Sequence, residues 1–180
     1  MRLLDKPPCS PFCEGLAPIV AIELNTGRTL KVRLNPLAAP ITVAYFLTLV
    51  REGFYDGLRF HRVVPGFLLQ GGDPLGTGDG ETEFYVKGEF EENGVHNPMR
   101  HVAGAVSLAR QDGCDTASCQ FFILANDVPS MDGHYAAFGI VTEGFDAVQS
   151  LSLVDVDANS APLSPIVMER VYLLKGPQAG

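Results

Sequence analysis

Arg62 is the residue whose type and setting best suit chemistry. It lies in Phe60-His61-Arg62-Val63-Val64-Pro65-Gly66-Phe67-Leu68-Leu69-Gln70-Gly71-Gly72-Asp73, a cation among apolar residues followed by a tight turn. A guanidinium donates hydrogen bonds and stays charged at any relevant pH, so it can stabilise an electron-rich atom without proton transfer. On charge statistics alone it is a surface arginine on an edge strand. The other chemically capable groups are less well placed. Cys114 and Cys119 have no neighbouring histidine to activate a thiolate. Cys9 and Cys13 lack a second ligand pair at zinc-like spacing, and His96 and His101 read as solvated loop histidines around Asn97-Pro98. Gly76-Thr77-Gly78-Asp79-Gly80 is followed by no Lys-Ser/Thr and opens no helix, so it reads as a flexible rim and not a phosphate cradle.

The elements that must position Arg62 are legible around it. Val64-Pro65-Gly66-Phe67 carries Pro and Gly at the central positions of a type II turn, which predicts a hairpin. Alternation puts Phe60, Arg62 and Val64 on one strand face; beyond the turn it sets Phe67 and Leu69 on one face and Leu68 and Gln70 on the other. Residues 19–24 and 29–34 flank Asn25-Thr26-Gly27-Arg28 as a second hairpin. Pro40 starts an amphipathic helix to about Glu52, with Val43, Phe46, Leu47 and Val50 on one face and Gly53 ending it. Further strands are predicted at 58–64, 67–72, 102–108, 119–124, 136–141 and near 166–174, and a second helix at 143–151. Many short strands separated by Gly- and Asp-rich loops suggest a barrel or sandwich, a single α+β domain dominated by antiparallel strands. Residues 1–16, broken by Pro7, Pro8, Pro11 and Gly15, read as an irregular arm, with the domain over 17–176 and a tail at 177–180.

Composition narrows the classes. With 180 residues, 46% hydrophobic and 19% charged, the chain fits one globular domain with a real core. A net charge of −8, from 21 acidic against 13 basic residues, disfavours nucleic acid and anionic membrane surfaces as partners. No apolar run approaches a membrane span, and the N-terminus lacks a secretory pattern, so a soluble, cytoplasmic protein with free thiols is expected.

The segment from Phe60 to Asp73 resembles the core motif of the cyclophilins, peptidyl-prolyl cis-trans isomerases in which the arginine of a Phe-His-Arg triplet is the principal catalytic residue. Three further blocks extend the resemblance in order. They are Gly76-Thr77-Gly78 with Gly88-Glu89-Phe90, then Gly104-Ala105-Val106-Ser107-Leu108-Ala109 with Gln120-Phe121-Phe122-Ile123, then Asp132-Gly133-His134-Tyr135-Ala136-Ala137-Phe138-Gly139. Together they cover roughly residues 18–175. The resemblance implies a mainly β fold, an eight-stranded antiparallel barrel capped by two α-helices with its groove on the outside, and a monomer that needs no cofactor or metal. It implies proline-containing peptides and partly folded proteins as substrates. Arg62 corresponds to the catalytic arginine, and Phe67, Leu68 and Phe122 to the pocket that receives the proline ring; by periodicity alone these three could equally be barrel core. Gln70 corresponds to a residue that bonds substrate backbone and helps hold the arginine, Ala109 to one whose main chain pairs with the residue before proline, and Gln120 to a groove-lining glutamine.

Departures from the best-known eukaryotic pattern lie on the far side of the groove. Arg110 stands where asparagine is common, and the loop 111–116 carries one extra residue, as in bacterial single-domain members. Ser130 takes the place of a tryptophan that contacts cyclosporin, and the chain has no Trp, so cyclosporin affinity is expected to be weak. Met131 replaces a pocket leucine, and Tyr135 replaces a histidine whose hydrogen bond a phenol could imitate. Two other classes stand beside an isomerase: a binding module that holds proline-containing segments without turnover, and a thiol or metal enzyme, for which no clustered spacing exists.

Overall fold

A computed structural model describes residues 1–7 and 17–174. Cys9, Cys13 and the tail at 177–180 lie outside the described residues. In chain order the elements are β1 (Arg2–Leu4), β2 (Ile19–Leu24), β3 (Thr29–Leu34), α1 (Pro40–Arg51), β4 (Phe60–Val64), β5 (Leu68–Gly71), β6 (Phe84–Val86), β7 (Ala105–Leu108), β8 (Phe121–Leu124), β9 (Ala137–Glu143), α2 (Phe145–Leu151) and β10 (Met168–Leu173). Eight strands form one antiparallel sheet in the order β10-β2-β3-β9-β7-β8-β5-β4. The sheet curls until its edges meet, Phe60 N–H donating to Ile166 O at 2.9 Å and Met168 N–H to Leu58 O at 2.8 Å. This is the expected eight-stranded architecture with two helices. The two edge strands are thereby paired at one end, around the bridge of Arg59 with Val167, which shortens the exposed edge.

Local chemistry accounts for the two hairpins. Gly27 and Gly66 adopt φ of 76° and 66°, the left-handed conformation that glycine tolerates without a Cβ penalty. Phe67 N–H closes the second turn on Val64 O at 2.9 Å. In β3, Leu30, Val32 and Leu34 are buried while Thr29 and Arg33 are exposed, the half-buried alternation the sequence predicts. α1 buries nine of its twelve residues, more than the single face expected. The reason is Phe46, whose ring lies 5.5 Å from Phe121, 5.1 Å from Phe138 and 5.1 Å from Tyr55, so the helix enters the core instead of lying across it. α2 is shorter than predicted, because Glu143 still belongs to β9 and Gly144 turns at φ 82°.

Three local expectations are corrected. The register of β4 against β5 slips between Phe60 and Arg62, so a bulge at His61 rotates the strand. Phe60 is fully buried, whereas Arg62 is exposed on the other face. Simple alternation had set them together. The arm is not irregular throughout, since β1 pairs in parallel with β6 through Arg2↔Phe84, Leu3↔Tyr85 and Leu4↔Val86. Phe84-Tyr85-Val86 is too short to show a period, and its partner is some eighty residues away. The strand expected over 102–108 begins at Ala105.

α1 has no side-chain cap of its own. Its N-cap is Ala39, and the orphan donors of the first turn are satisfied by Glu89, whose carboxylate accepts Ile41 N–H at 3.0 Å and Thr42 N–H at 2.9 Å. Glu89 is itself buried, and burial raises its carboxyl above the usual range despite those bonds. Removing it strands two buried N–H groups, each costing about 1–3 kcal/mol. Glu89→Ala is therefore expected to lower the unfolding free energy in urea by about 2–6 kcal/mol, and Glu89→Gln by less; wild-type stability in Glu89→Ala would refute the cap.

Candidate active site

Leu68 and Phe122 point away from the barrel interior, opposite to Leu69 and Ile123 of the same strands. With Ala105 and Leu124 they form a second apolar cluster, against which Phe67, Ala109, Met131 and Tyr135 pack partly exposed. Phe67 thus joins Leu68 and not Leu69, because it belongs to the turn, where alternation does not apply. The Phe122 and Tyr135 rings meet edge to face at 5.7 Å. Leu68 and Phe122 are themselves buried, so the cluster meets solvent through Phe67, Met131 and Tyr135.

Along β5 the cluster gives way to polar groups. Arg62 Nη1 donates to Gln70 Oε1 at 3.2 Å, Gln70 Nε2 donates to Gln120 Oε1 at 2.9 Å, and Gln120 Nε2 donates to the carbonyls of Gly78 and Gly80 at 2.8 and 2.9 Å. Carbonyls can only accept, so they fix the flip of Gln120, which fixes Gln70, which offers Arg62 an oxygen. The chain is anchored at Asp73, whose carboxylate accepts the N–H groups of Leu75, Thr77 and Gly78. Burial raises the Asp73 carboxyl, but these bonds outweigh it and leave it below the usual range. The glycine-rich rim, expected to be flexible, is thus organised around one buried anion. Among the described residues no carboxylate forms an ion pair with Arg62.

Ala109 borders the same region, its N–H committed to Gln120 O at 3.0 Å, so a peptide pairing with its main chain must use the carbonyl. A cavity of about 80 Å³ lies between Gln70, Ala109, Gln111, Thr116 and Gln120. Arg110 also borders it, but its guanidinium is largely spent on structure. It donates to His134 O at 2.9 Å and to Gln111 O and Asp112 O at 3.0 and 3.2 Å, and it stacks on Tyr135 at 4.9 Å. Met131 sits in the 3-10 turn Pro129–Met131, with Ser130 beside it exposed to solvent.

His101 corrects the reading of a solvated loop histidine. It is 1% exposed, with Nδ1 3.1 Å from Asp132 Oδ1 and Nε2 3.1 Å from Ser107 Oγ, and it stacks on Phe122 at 6.4 Å. Asp132 also accepts His101 N–H. A neutral imidazole donating to Asp132 and accepting from Ser107 satisfies every bond. His96, by contrast, is exposed beside Glu91. The signal for His101 was its partner, 31 positions on, and no local pattern carries that. Cys119 is buried, and burial pushes its thiol up to about 11, which disfavours thiolate chemistry. Among the described residues Cys114 and Cys119 are both free.

Burial lowers both interior imidazoles below the ordinary histidine value. It is opposed by Asp132 at His101; at His61 it is opposed by Asp73 and reinforced by Arg62 and Arg59. In the unfolded chain both titrate near ~6.5. As pH falls through that value the unfolded state takes up protons that the folded state refuses, so stability present above it is lost on acidification. The expected slope between pH 7 and 5 is up to about 1.4 kcal/mol per pH unit for each histidine. Urea unfolding of His101→Gln should show a shallower slope than wild type, and an equal slope would contradict a buried neutral ring.

The family described as cyclophilin type peptidyl-prolyl cis-trans isomerase/CLD matches residues 19–173. Peptidyl-prolyl cis-trans isomerase B of Bacillus subtilis is 47% identical over 133 residues, 74% of this chain and 90% of that protein. Peptidyl-prolyl cis-trans isomerase ppi1 of Schizosaccharomyces pombe is 38% identical over 156 residues, 86% of this chain and 98% of that protein. Among solved structures, a Cryptosporidium parvum cyclophilin type isomerase superposes with a TM-score of 0.82 at 29% identity, covering 89% of this chain and 99% of that one. A second structure of it was obtained in the presence of the dipeptide Ala-Pro. A family match over residues 19–173, relatives of this identity and a curled eight-stranded antiparallel sheet with two helices identify the chain as a member of the cyclophilin-type peptidyl-prolyl cis-trans isomerase family.

Proposed function

We propose that Arg62 catalyses Xaa-Pro isomerisation by stabilising the twisted amide, and that the protein acts on proline-containing segments of peptides and partly folded proteins. Rotation about the prolyl bond breaks C–N resonance at a cost of ~18–20 kcal/mol, and the uncatalysed reaction takes tens to hundreds of seconds. No bond has to be made or broken. What changes on twisting is the nitrogen, which becomes pyramidal and carries a localised lone pair. A donor that bonds that lone pair, and has nothing to bond in either planar isomer, lowers the barrier.

The observation that carries this reading is the placement of the Arg62 guanidinium, oriented by the neutral amide of Gln70 at the border of the apolar cluster. A proline ring seated on Leu68 and Phe122 brings its nitrogen toward that border. A carboxylate partner would orient the arginine equally well but would offset its charge; Gln70 orients without doing so. Ser130, exposed in the turn at the position of a tryptophan that contacts cyclosporin, offers no ring there, which favours weak cyclosporin binding. Nothing in the chemistry requires a second copy of the chain.

Loss of a preorganised electrostatic donor costs about 10²–10³ in rate. Arg62→Ala is expected to lower kcat/KM by that factor for an Ala-Xaa-Pro-Phe peptide followed by exchange NMR, with peptide binding retained. Equal turnover by wild type and Arg62→Ala would remove the arginine from the mechanism. Binding without turnover in both would make the protein a proline-segment binding module.

A further inference from the structure

His101 is a buried histidine to which the proposed mechanism gives no part. It belongs to the loop before β7, yet its ring reaches the apolar cluster on the outer face of the barrel. It stacks on Phe122 at 6.4 Å with the two planes 26° apart, and it meets the Tyr135 ring edge-on at 6.4 Å. Phe122 and Tyr135 meet in turn at 5.7 Å. Three rings therefore close on one another. Tyr135 is partly exposed, and His101 is the most deeply buried of the three.

Two bonds hold the imidazole from opposite edges, one at Asp132 Oδ1 and one at Ser107 Oγ, each at 3.1 Å. A carboxylate can only accept, so Nδ1 carries the proton, and the lone pair left on Nε2 takes the Ser107 hydroxyl. Both partners belong to the surroundings of the cluster. Ser107 stands opposite Phe122 in the register of β7 and β8, and Asp132 follows Met131, which packs on the cluster. Asp132 is itself fixed, accepting His101 N–H at 2.7 Å and Arg100 Nη1 at 3.1 Å. The order Asp132, His101, Ser107 is that of an acyl-transfer triad, but Ser107 is fully buried, so no substrate carbonyl reaches its hydroxyl. The role left to the three is positional.

We propose that His101, fixed by Asp132 and Ser107, is a positioning residue for substrate binding: it sets where the Phe122 and Tyr135 rings stand, and so how the proline ring of the substrate fits against the cluster. The assignment rests on the reading of this cluster as the seat of that ring. Aromatic rings at these separations prefer particular mutual orientations, so a ring whose own orientation is fixed biases its neighbours. An apolar side chain at position 101 could fill the same volume, but no directional bond would hold it in one place. The hydroxyl of Ser107 would then be left buried without its partner, a cost that favours rearrangement around it. Contacts made equally with the planar and the twisted substrate change KM and leave kcat as it was. His101 thus acts on binding, and Arg62 on the barrier.

The test is the split between KM and kcat for an Ala-Xaa-Pro-Phe peptide in His101→Phe, which keeps a ring and loses both bonds, in Ser107→Ala, and in the double variant. Each single change should raise KM about three- to tenfold, the scale of one net hydrogen bond, with kcat within about twofold of wild type. The double variant should raise KM no further than His101→Phe alone, because the hydroxyl then has no imidazole to hold. Glu89→Ala, destabilised at the cap of α1 instead, should leave KM within about twofold and so separates positioning from lost stability. In the wild-type protein at pH 7, nitrogen NMR should find Nδ1 of His101 protonated and Nε2 bare, a readout independent of how the variants fold. An unchanged KM in His101→Phe overturns the proposal, as do an equal rise in Glu89→Ala, multiplying factors in the double variant, or the opposite tautomer. A wild-type protein that isomerises no peptide would instead overturn the proposed function; the same ratios, read as Kd from peptide titrations, would still decide the role of His101.

Discussion

An arginine exposed to water that is to act through its charge, as proposed for Arg62, has to be held still without being neutralised, and the bond from Arg62 Nη1 to Gln70 Oε1 meets both demands. A carboxylate would anchor the guanidinium more strongly but would offset the charge on which the proposed mechanism relies. A free side chain would keep its charge but spend its time among many rotamers. A neutral amide resolves the conflict only if its own flip is fixed. That is why the chain of bonds continues through Gln120 to the carbonyls of Gly78 and Gly80, and why the loop bearing them is wound around the buried Asp73 carboxylate.

The barrel supplies the rest of the constraint. Phe121 and Phe122 are neighbours in β8, one fully buried in the interior against Phe46 and Tyr55, the other on the outer floor beneath Tyr135. The floor therefore cannot shift without disturbing the core, and close-packed interiors resist such shifts. The same logic extends to His101, which stacks under Phe122 and is pinned between Asp132 and Ser107. Closure of the sheet at Phe60 and Ile166 keeps β4, the edge strand that displays Arg62, from being a loose end.

What could be read from the sequence was what depends on neighbours in the chain. The Pro65-Gly66 turn, the 19–34 hairpin, the helix from Pro40 and the motif around Arg62 were all legible, because turn chemistry and periodicity are local. The misreadings share the opposite property. The bulge at His61 is set by the curl of the sheet and reversed the expected face of Phe60 relative to Arg62. The burial of His101 depends on Asp132, the cap of α1 on Glu89 nearly fifty residues away, and the strand at Phe84–Val86 on a partner in the first turn of the chain. Gln70 and Gln120 were assigned to the groove through family likeness; the hydrogen bond between them, and its continuation to the glycine loop, needed coordinates.

The central claim is that Gln70 acts through Arg62, and a double-mutant cycle on these two residues tests it most directly. Gln70→Ala should lower kcat about tenfold in the wild-type background, equivalent to roughly 1.4 kcal/mol, and by less than twofold in Arg62→Ala, since there is then no guanidinium left to hold. Equal factors in both backgrounds would show that the two residues act independently, and would contradict an arginine positioned by its neutral partner.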